Sequence, residues 1–366
     1  MSQKPYVGII YSRLKYNRIS RGEEKIKKQL LYIEEAAKKN DVIPCFFRLD
    51  NIEPENHYIK AYVLGKNGYE LQIVPRPTVI YNRGYDRKNV RPKIQQLIAE
   101  GITIFNVRNL SHGKFYIKNI LSENIDISKQ LPFTLRATET NIKAMMKKYN
   151  SLIIKPNKGS YGRGIMKLEK IEEKWCFTFT EKEGTTVIKK NIYFKTKLPF
   201  TLKKRIKQAF YIVQERIDLA TYNNNPFDIR VAVQRNNNGE WETTSFITKV
   251  AQKGYYITNV AQGGTTYTLE TILKDHPYLS YKQVIENTTN FTKNIANLLS
   301  KRLPHIGCLG MDIGIAKDGT PYFIEVNYIS DFEGLTFQNN ELVVEEWKKV
   351  FTTPIDYAAY LVKKKK

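Results

Sequence analysis

A glycine-rich segment between two apolar strands is the feature that most constrains the fold of this 366-residue chain. The apolar run Ile153-Ile154 leads into Lys155-Pro156, three glycines lie within residues 159–164, and an apolar run resumes at Ile165. Glycines let backbone N–H groups approach an anion closely. Because a strand follows, and because no Gly-Lys-Ser/Thr opens a helix, the segment is neither a Walker A loop nor a dinucleotide-binding turn. It predicts a phosphate-binding loop, with a ligand-free glycine hairpin as the alternative.

A second chemical feature is a pair of strand-like runs at 308–316 and 321–326, on either side of Asp318-Gly319. Asp-Gly is typical of a tight hairpin turn. Asp312 on the first strand can then converge with Glu325 and Asn327 on the second, since residues two apart in a strand share a face. Oxygen ligands of this kind suit Mg²⁺, and buried carboxylates are costly unless a cation compensates them. The pattern predicts a metal site; an exposed hairpin with ordinary polar positions is the alternative.

The first hundred residues alternate strands and helices, which predicts a mostly parallel α/β sheet. Strands are expected at 6–11, 42–47, 58–64, 69–74, 78–81 and 102–105, and helices at 22–39 and 89–100. Lys66-Asn67-Gly68 is a hairpin signal between two of these strands. Residues 110–150 are predicted to be helical, with a break at Leu131-Pro132. Beyond residue 150 we expect paired strands, among them 227–235 with 241–250, and an amphipathic helix at 281–300.

Polar residues mark the strands between the two chemical features. Gln214 and Glu215 end an apolar run, as a segment that contacts a purine requires. Asp228 and Arg230 share one face of the next strand, although a lone Asp-x-Arg is more often a surface ion pair. Further along, Asn259 and Gly263-Gly264 follow the strand that carries Lys249.

The net charge of +23, from 59 Lys and Arg against 36 Asp and Glu, favours acidic partners. No nucleic-acid-binding signature accompanies it, so we predict a solvated basic surface with a frayed lysine tail at 363–366. Cys45, Cys176 and Cys308 are too far apart for a disulfide framework or a zinc knuckle and are predicted to be buried hydrophobes. No run approaches the ~20 apolar residues of a membrane helix, and no signal peptide is evident, so a cytoplasmic location is expected.

The order of these parts resembles the ATP-grasp superfamily and, within it, the endospore-coat-associated YheC/YheD family. The resemblance covers nearly the whole chain. It is carried by Lys155-Pro156, Asp228-x-Arg230, Asn259 with Gly263-Gly264, Asp312 and Glu325-x-Asn327, and also by 79–83, Phe105-Asn106, Lys114 and 131–134. It implies an α/β fold, α+β in the C-terminal part, in which an N-terminal pre-ATP-grasp domain precedes a two-lobed ATP-grasp fold. The implied units are 1–108, a central lobe at 109–210 with the glycine loop, and a C-terminal lobe at 211–366 with the metal site.

The resemblance also implies a role for each site residue, around ATP and one or two Mg²⁺ ions, with Mn²⁺ as an alternative. Lys114 and Lys155 would contact the α- and β-phosphates. Lys158, Gly159, Ser160, Gly162 and Gly164 would close over the triphosphate. Gln214, Glu215 and Ile217 would contact adenine, and Asp228 the ribose. Asp312, Glu325 and Asn327 would hold metal, while Arg230, Lys249 and Asn259 would face the γ-phosphate and the acyl group.

The implied activity is carboxylate–amine ligation through an acyl phosphate, which needs positioning and charge neutralisation more than a nucleophilic side chain. Neither the carboxylate nor the amine is identified; a peptide or another polymer is one candidate, and spore coat proteins are candidate partners. The alternatives are a non-catalytic, ATP-binding component of the coat and a nucleic-acid-binding protein. An uncompensated acidic pair at Asp312 and Glu325 favours the enzyme. Three positions depart from the family pattern. Lys249 stands where related ligases usually carry Arg, and Gln214 stands where an acidic residue is commoner. Tyr328–Asp331 replaces the Pro-Gly turn of many ligases.

Overall fold

Three six-stranded sheets follow one another along the chain in the computed structural model. The structure describes residues 4–84, 91–107, 113–159, 161–183, 186–328 and 342–365. The predicted Ser160 and the Ser330-Asp331 departure lie outside the described residues. The mixed α/β architecture predicted from the sequence is confirmed.

The first sheet has the strand order β4-β3-β2-β1-β5-β6. Its strands are β1 (Tyr6–Ile10), β2 (Ile43–Phe47), β3 (Tyr58–Gly65), β4 (Gly68–Pro75), β5 (Val79–Asn82) and β6 (Thr103–Phe105). Its helices are α1 (Arg13–Ser20), α2 (Glu24–Lys39) and α3 (Arg91–Ala99). β1, β2, β5 and β6 run parallel, whereas β3 and β4 form the predicted hairpin, with Gly68 at φ +117°. The prediction missed α1, which the Ser12 side chain caps at its N-terminus.

The middle sheet has the order β11-β10-β9-β8-β12-β7. Its strands are β7 (Thr134–Arg136), β8 (Ser151–Pro156), β9 (Met166–Ile171), β10 (Lys174–Glu183), β11 (Thr186–Phe194) and β12 (Tyr211–Glu215). The helices of this region are α4 (Lys114–Leu121), α5 (Ile125–Ser128), α6 (Glu139–Lys148) and α7 (Phe200–Gln208). Residues 110–150 are therefore not purely helical, because β7 pairs with β12 after the predicted break. Ile142 of α6 and Leu202 of α7 pack with Phe177 of β10 to form the core of this lobe.

The third sheet has the order β16-β15-β14-β17-β18, with β13 on the side of β14. Its strands are β13 (Thr221–Tyr222), β14 (Asn225–Arg235), β15 (Trp241–Val250), β16 (Thr265–Tyr267), β17 (Cys308–Ile315) and β18 (Pro321–Asn327). Helices α8 (Leu269–Leu273) and α9 (Tyr281–Arg302) pack on it. Both predicted hairpins, β14–β15 and β17–β18, and the helix at 281–300 are confirmed.

The last helix, α10 (Leu342–Lys363), lies between the first and third sheets. Val350 and Phe351 share one core with Val7 and Tyr81 of the first sheet and with Ile247 of the third. The prediction of a frayed lysine tail is wrong for residues 363–365. The helix reaches Lys363, and the Lys365 ammonium donates hydrogen bonds to the carbonyl oxygens of Thr78 and Gly101.

A single buried asparagine joins the first sheet to the strands of the acidic hairpin. Asn106 follows β6 with φ +62°, and its Oδ1 accepts hydrogen bonds from the backbone N–H groups of Gly307 and Cys308, each at 2.9 Å. Its Nδ2 donates to the Tyr328 carbonyl at 3.1 Å. Asn106 therefore fixes both the start of β17 and the end of β18 relative to the first sheet.

Two further predictions can be compared with the structure. All three cysteines are free and buried, as predicted. Within the described ranges, no helix combines the length and apolar composition that crossing a membrane requires.

Candidate functional site

A cleft of about 430 Å³ lies between the middle sheet and the third sheet. β8 and β12 form one wall, and β14, β15, β17 and β18 contribute to the other. The predicted site residues that line it are Lys155, Gly162, Gln214, Glu215, Ile217, Asp228, Lys249, Asn259, Asp312 and Glu325. Lys114 lines a small adjoining recess together with Lys155 and Glu325. The structure therefore brings together most of the residues that the sequence placed in one site.

The glycine loop leaves the end of β8 and turns through left-handed backbone. Gly162 has φ +67° and Gly164 has φ +75°, values that favour glycine. A Cβ on Gly162 would come within 2.8 Å of Ile257 Cγ2, so glycine also permits close approach of the opposite lobe. The Gln262 side chain donates a hydrogen bond to the Tyr161 carbonyl at 3.1 Å, which ties the loop to that lobe. Lys158 and Gly159 are exposed beside the loop.

Two lysines meet at the base of this loop. Lys155 is buried, and its Nζ donates to the Ile324 carbonyl at 3.2 Å. Lys114 donates to the Gly159 carbonyl at 3.0 Å and lies 3.3 Å from Glu325 Oε2. Burial, with a smaller contribution from Lys114, lowers the pKa of Lys155 to about 8 against the opposing effect of Glu325. A second anion in this recess would relieve the cost of placing two ammonium groups together.

A buried cluster of two acids and two bases lies on the wall opposite. Arg230 holds Asp312 with two hydrogen bonds, Nε to Oδ1 at 2.6 Å and Nη2 to Oδ2 at 2.9 Å. Lys249 Nζ lies 2.9 Å from Asp312 Oδ1 and 2.9 Å from Asp228 Oδ1. Thr258 donates a hydrogen bond to Asp228. The prediction of an uncompensated acidic pair is therefore wrong for Asp312, because two cations from the same sheet neutralise it.

The pKa values within this cluster follow from burial and from the ion pairs. Burial alone would raise the pKa of Asp312, but Arg230 and Lys249 outweigh burial and hold it well below its usual value. Burial would lower the pKa of Lys249, yet Asp228 and Asp312 raise it above the usual value. Burial raises the pKa of Asp228, partly offset by Lys249. The Asp312 carboxylate and the Lys249 ammonium therefore stay charged at neutral pH.

The hairpin that carries the predicted metal ligands is irregular where they meet. Asp312 pairs with Glu325, and Gly310 pairs with Asn327, but Ile313 pairs with Phe323, so Ile324 is an extra residue in a β-bulge. The bulge directs the Ile324 carbonyl to Lys155. Asn327 follows Glu325 on the same strand but does not line the cleft. No group of three or more His, Cys, Asp or Glu residues suited to a metal occurs in the described part of the chain.

β12 and the residues before β7 line another part of the cleft. Gln214 is buried, and its Nε2 donates to Thr134 Oγ1 at 2.7 Å; Thr134 in turn donates to the Pro132 carbonyl. The Glu215 carboxylate accepts a hydrogen bond from the Phe133 backbone N–H at 2.7 Å, so it is engaged by a residue next to its own sheet. Sequence reasoning included Thr134 only in the 131–134 segment that carries the resemblance and gave it no role at the site.

Asn259 opens a tight turn at the mouth of the cleft. Its Oδ1 accepts from the Ala261 backbone N–H at 2.9 Å, and Gly263 at φ +89° ends the short 3-10 helix Val260–Gln262. The Asn259 side chain is therefore partly engaged within its own turn. Thr258, which sequence reasoning missed, precedes it and contacts Asp228.

Comparison with protein families places this geometry in a known group. The model of the YheC/D-like ATP-grasp family matches residues 101–361. That range contains every site residue predicted from the sequence.

Two relatives come from Bacillus subtilis (strain 168). The endospore coat-associated protein YheD is 26% identical over 294 residues, which cover 77% of this chain and 63% of YheD. The endospore coat-associated protein YheC is 24% identical over 327 residues, which cover 85% of this chain and 86% of YheC. The chain thus spans less than two thirds of the length of YheD and most of YheC.

The fold is also similar to that of a ligase of known structure. The ATP-grasp ligase PsnB, complexed with a phosphomimetic variant of its minimal precursor, Mg and ADP, superposes with a TM-score of 0.52 at 14% identity, covering 100% of both chains. PsnB with its minimal precursor gives a TM-score of 0.51 at 15% identity, covering 95% of this chain and 98% of PsnB. These likenesses show the ATP-grasp ligase fold, to which ATP binding is inherent.

Proposed function

Because the chain belongs to the YheC/D-like ATP-grasp family, we propose that it is an ATP-dependent ligase that joins a carboxylate to an amine through an acyl phosphate. The observation that carries the proposal is the convergence of Lys114 and Lys155 on Glu325, next to Asp312, in the cleft between two lobes. Such a recess offers cations to phosphates and carboxylates to a metal ion.

The nucleotide would lie along the cleft with its base against β12. Gln214 Nε2 is held by Thr134, and its Oε1 accepts no hydrogen bond from the described residues, so it is available to the amino group of adenine. The backbone near Ile217 and the buried Asp228 lie next along the wall. The triphosphate would pass under residues 158–164 to reach Lys114 and Lys155.

The residues of the hairpin fit Mg²⁺ in chemistry, because they supply two carboxylates and one amide oxygen. Asp312 and Glu325 face each other across β17 and β18, and Asn327 is two residues further on. When bound there, Mg²⁺ would neutralise phosphate charge and orient the transferring phosphoryl group. We propose one or two such ions, with Mn²⁺ as a substitute.

Arg230 and Lys249 would act as internal counter-ions that change partner during binding. Both are paired with Asp312 in this structure. For a metal to reach Asp312 they must turn to another anion, and the γ-phosphate and the substrate carboxylate are the anions at hand. The same two cations would then neutralise the group being transferred.

The chemistry that this arrangement supports has two steps. A carboxylate oxygen attacks the γ-phosphorus while the bond from that phosphorus to the ADP oxygen breaks. The amine nitrogen then attacks the acyl carbon, loses a proton, and phosphate leaves. Lys114, Lys155, Arg230 and Lys249 contribute by holding charge and orientation, with Asn259 at the mouth of the cleft.

The alternative of a non-catalytic, ATP-binding coat component gains from one observation. Asp312 is already neutralised, so its burial does not by itself require a metal. Lys155 favours the enzyme or at least a nucleotide-binding protein, because the pKa of this buried lysine is lowered to about 8 and it lies beside a second lysine.

The decisive experiment measures phosphate and ADP release from MgATP with pooled amino acids, peptides and cell-wall precursors, followed by mass spectrometry of the products. We expect ADP release only in pools that contain both a carboxylate and an amine. Tight MgATP binding with no turnover in any pool would overturn the ligase proposal and leave the structural one.

We also propose a cytoplasmic protein that associates with the endospore coat in a spore-forming cell. The proposal is supported by both relatives, which are named endospore coat-associated proteins. Antibody detection in fractionated spores tests it, and absence of the chain from coat extracts would contradict it.

A further inference from the structure

The positive charge of the chain is concentrated in one lobe. Residues 109–210 hold 22 of the 59 Lys and Arg residues and 8 of the 36 Asp and Glu residues, a net charge of +14. Residues 211–366 hold 17 of each kind and are neutral, and residues 1–108 carry +9. The predicted general basic surface is thus strongly uneven, and the lobe that carries the glycine loop dominates it.

Within this lobe, β11 presents a face that adjoins the cleft. Alternate residues share that face: Val187, Lys189, Asn191 and Tyr193. Val187 is 54% exposed and Tyr193 is 59% exposed. The Lys189 Nζ donates to the Gly254 carbonyl at 2.9 Å, and residue 254 begins the segment whose residues 256–259 line the cleft. The face therefore leads to the mouth of the candidate active site.

Two cations that directly follow β11 are available to an external anion. Lys195 and Lys197 continue from β11, are exposed, and have no carboxylate partner in the described part of the chain. On the opposite face, by contrast, Lys190 is neutralised by Glu181 at 2.9 Å and by Glu183 at 2.6 Å. Lys195 and Lys197 therefore differ from Lys190, whose charge is already paired.

β11 also ends the middle sheet, so among the described strands its outer edge is unpaired. An unpaired edge offers backbone N–H and C=O groups to an extended chain. Exposed Val187 and Tyr193 add apolar contacts to those backbone groups.

We propose that the surface formed by Val187, Lys189, Asn191, Tyr193, Lys195 and Lys197 binds an extended acidic peptide and delivers one of its carboxylates to the cleft. This inference rests on the proposed ligase function, because the group that the reaction would activate is a carboxylate. The substrate would then be an Asp- or Glu-rich peptide segment, and the positive charge of residues 109–210 would serve to recognise it.

A nucleic acid fits the same surface less well. Of the 22 cations in residues 109–210, 19 are Lys and 3 are Arg, whereas Arg is the residue favoured for phosphate and base recognition. The surface also offers one exposed aromatic ring, Tyr193, where strand-binding proteins commonly use several for stacking.

The test is a binding measurement with the full chain and no nucleotide. The probe is a fluorescein-labelled peptide of alternating Glu and Gly, followed by fluorescence anisotropy, with the matched Gln and Gly peptide as a control. The double variant Lys195→Glu/Lys197→Glu should weaken binding of the Glu peptide about tenfold, since two attractions become repulsions. The control variant Lys28→Glu/Lys38→Glu makes the same change of charge on exposed positions of α2 and should bind as the unmodified chain does.

Three outcomes would overturn the proposal. The first is equal binding of the Glu and Gln peptides, and the second is equal weakening of Glu-peptide binding by the two double variants. The third is single-stranded DNA that competes as well as the unlabelled Glu peptide and whose binding is also lost in Lys195→Glu/Lys197→Glu. Because no ATP is present, the result is independent of turnover. Peptide binding without ADP release refutes the ligase proposal alone, whereas turnover of small carboxylates without peptide binding refutes the docking surface alone.

Discussion

Arg230 of β14 holds Asp312 of β17 in a bidentate pair, with hydrogen bonds of 2.6 and 2.9 Å inside a buried cluster. The two strands are direct neighbours, and Arg230 is paired with Asp312 in the strand register. Buried charges are tolerated only when paired, so each of these two side chains offsets the cost of burying the other. We propose that the same pair also serves catalysis.

Asp312→Asn should destabilise the protein strongly. Arg230 and Lys249 would then share a single buried carboxylate, Asp228, and breaking one side of a buried pair costs about 3–5 kcal/mol. Urea unfolding in the absence of metal measures the change in unfolding free energy. The double variant Arg230→Met/Asp312→Leu removes both partners, leaves the 2.9 Å pair of Lys249 and Asp228, and should recover most of the loss. A single variant as stable as the unmodified chain would show that the ion pair is not formed in solution.

Glu325→Gln should have the opposite profile. The Glu325 side chain is 28% exposed, and its partner Lys114 is 21% exposed, so losing their ion pair should change the unfolding free energy by less than about 1 kcal/mol. The amide keeps the shape but loses the charge that the proposed metal requires. ADP formation should therefore fall about a hundredfold or more. Full activity in this variant would remove Glu325 from the metal site.

MgATP binding should depend on pH through Lys155. Burial lowers the pKa of this lysine from 10.5 to about 8, so the ligand-free site loses its ammonium as pH rises through about 8. A triphosphate favours the charged form, and affinity should therefore fall above pH 8, by up to about tenfold per pH unit. The effect of pH on folding stability has the opposite sign to its effect on MgATP affinity. The unfolded chain binds the extra proton between about pH 8 and 10.5, so the contribution of Lys155 to stability rises with pH in that window.

Lys155→Met supplies the control for this prediction. The variant removes a buried ammonium and keeps a side chain of similar length, so the ligand-free protein should be at least as stable. Its melting temperature should no longer respond to MgATP, and any residual binding should show no inflection near pH 8. An inflection that persists in Lys155→Met would assign the pH dependence to another group.

Much of the fold was predictable because its signals are local. Alternating strands and helices, Asn238-Gly239 and Asp318-Gly319 at hairpin turns, and the apolar stripe of α9 each depend on residues close together in the chain. β7 was missed because three residues carry too little pattern; they form a strand only because β12 is there to pair with.

The sequence predicted which residues form the site but not how their charges pair. Spacing placed Asp312 opposite Glu325, yet it could not show that Arg230 and Lys249 reach Asp312, because that depends on strands 63 and 82 residues away. The β-bulge at Ile324, which gives Lys155 its carbonyl partner, leaves no mark in the sequence. Ser160 and Ser330-Asp331 lie outside the described residues. The role predicted for Ser160 and the departure from the family pattern at Ser330-Asp331 therefore stay predictions.

The glycine loop allows a matched comparison within one segment. Gly162 has φ +67°, and a Cβ there would approach Ile257 Cγ2 at 2.8 Å, whereas a Cβ on Gly159 would meet nothing nearer than Pro156 Cβ at 3.6 Å. Left-handed backbone costs an L-residue roughly 1–2 kcal/mol, so Gly162→Ala should weaken MgATP binding about tenfold. Gly159→Ala should change it by less than about twofold, because neither strain nor overlap arises there. Calorimetric titration of the two variants with MgATP shows whether the loop needs glycine for its own conformation or for the approach of the nucleotide. If they are equally impaired, the loop needs glycine for the approach of the nucleotide and not for its own conformation, and the structural reason given for Gly162 is wrong.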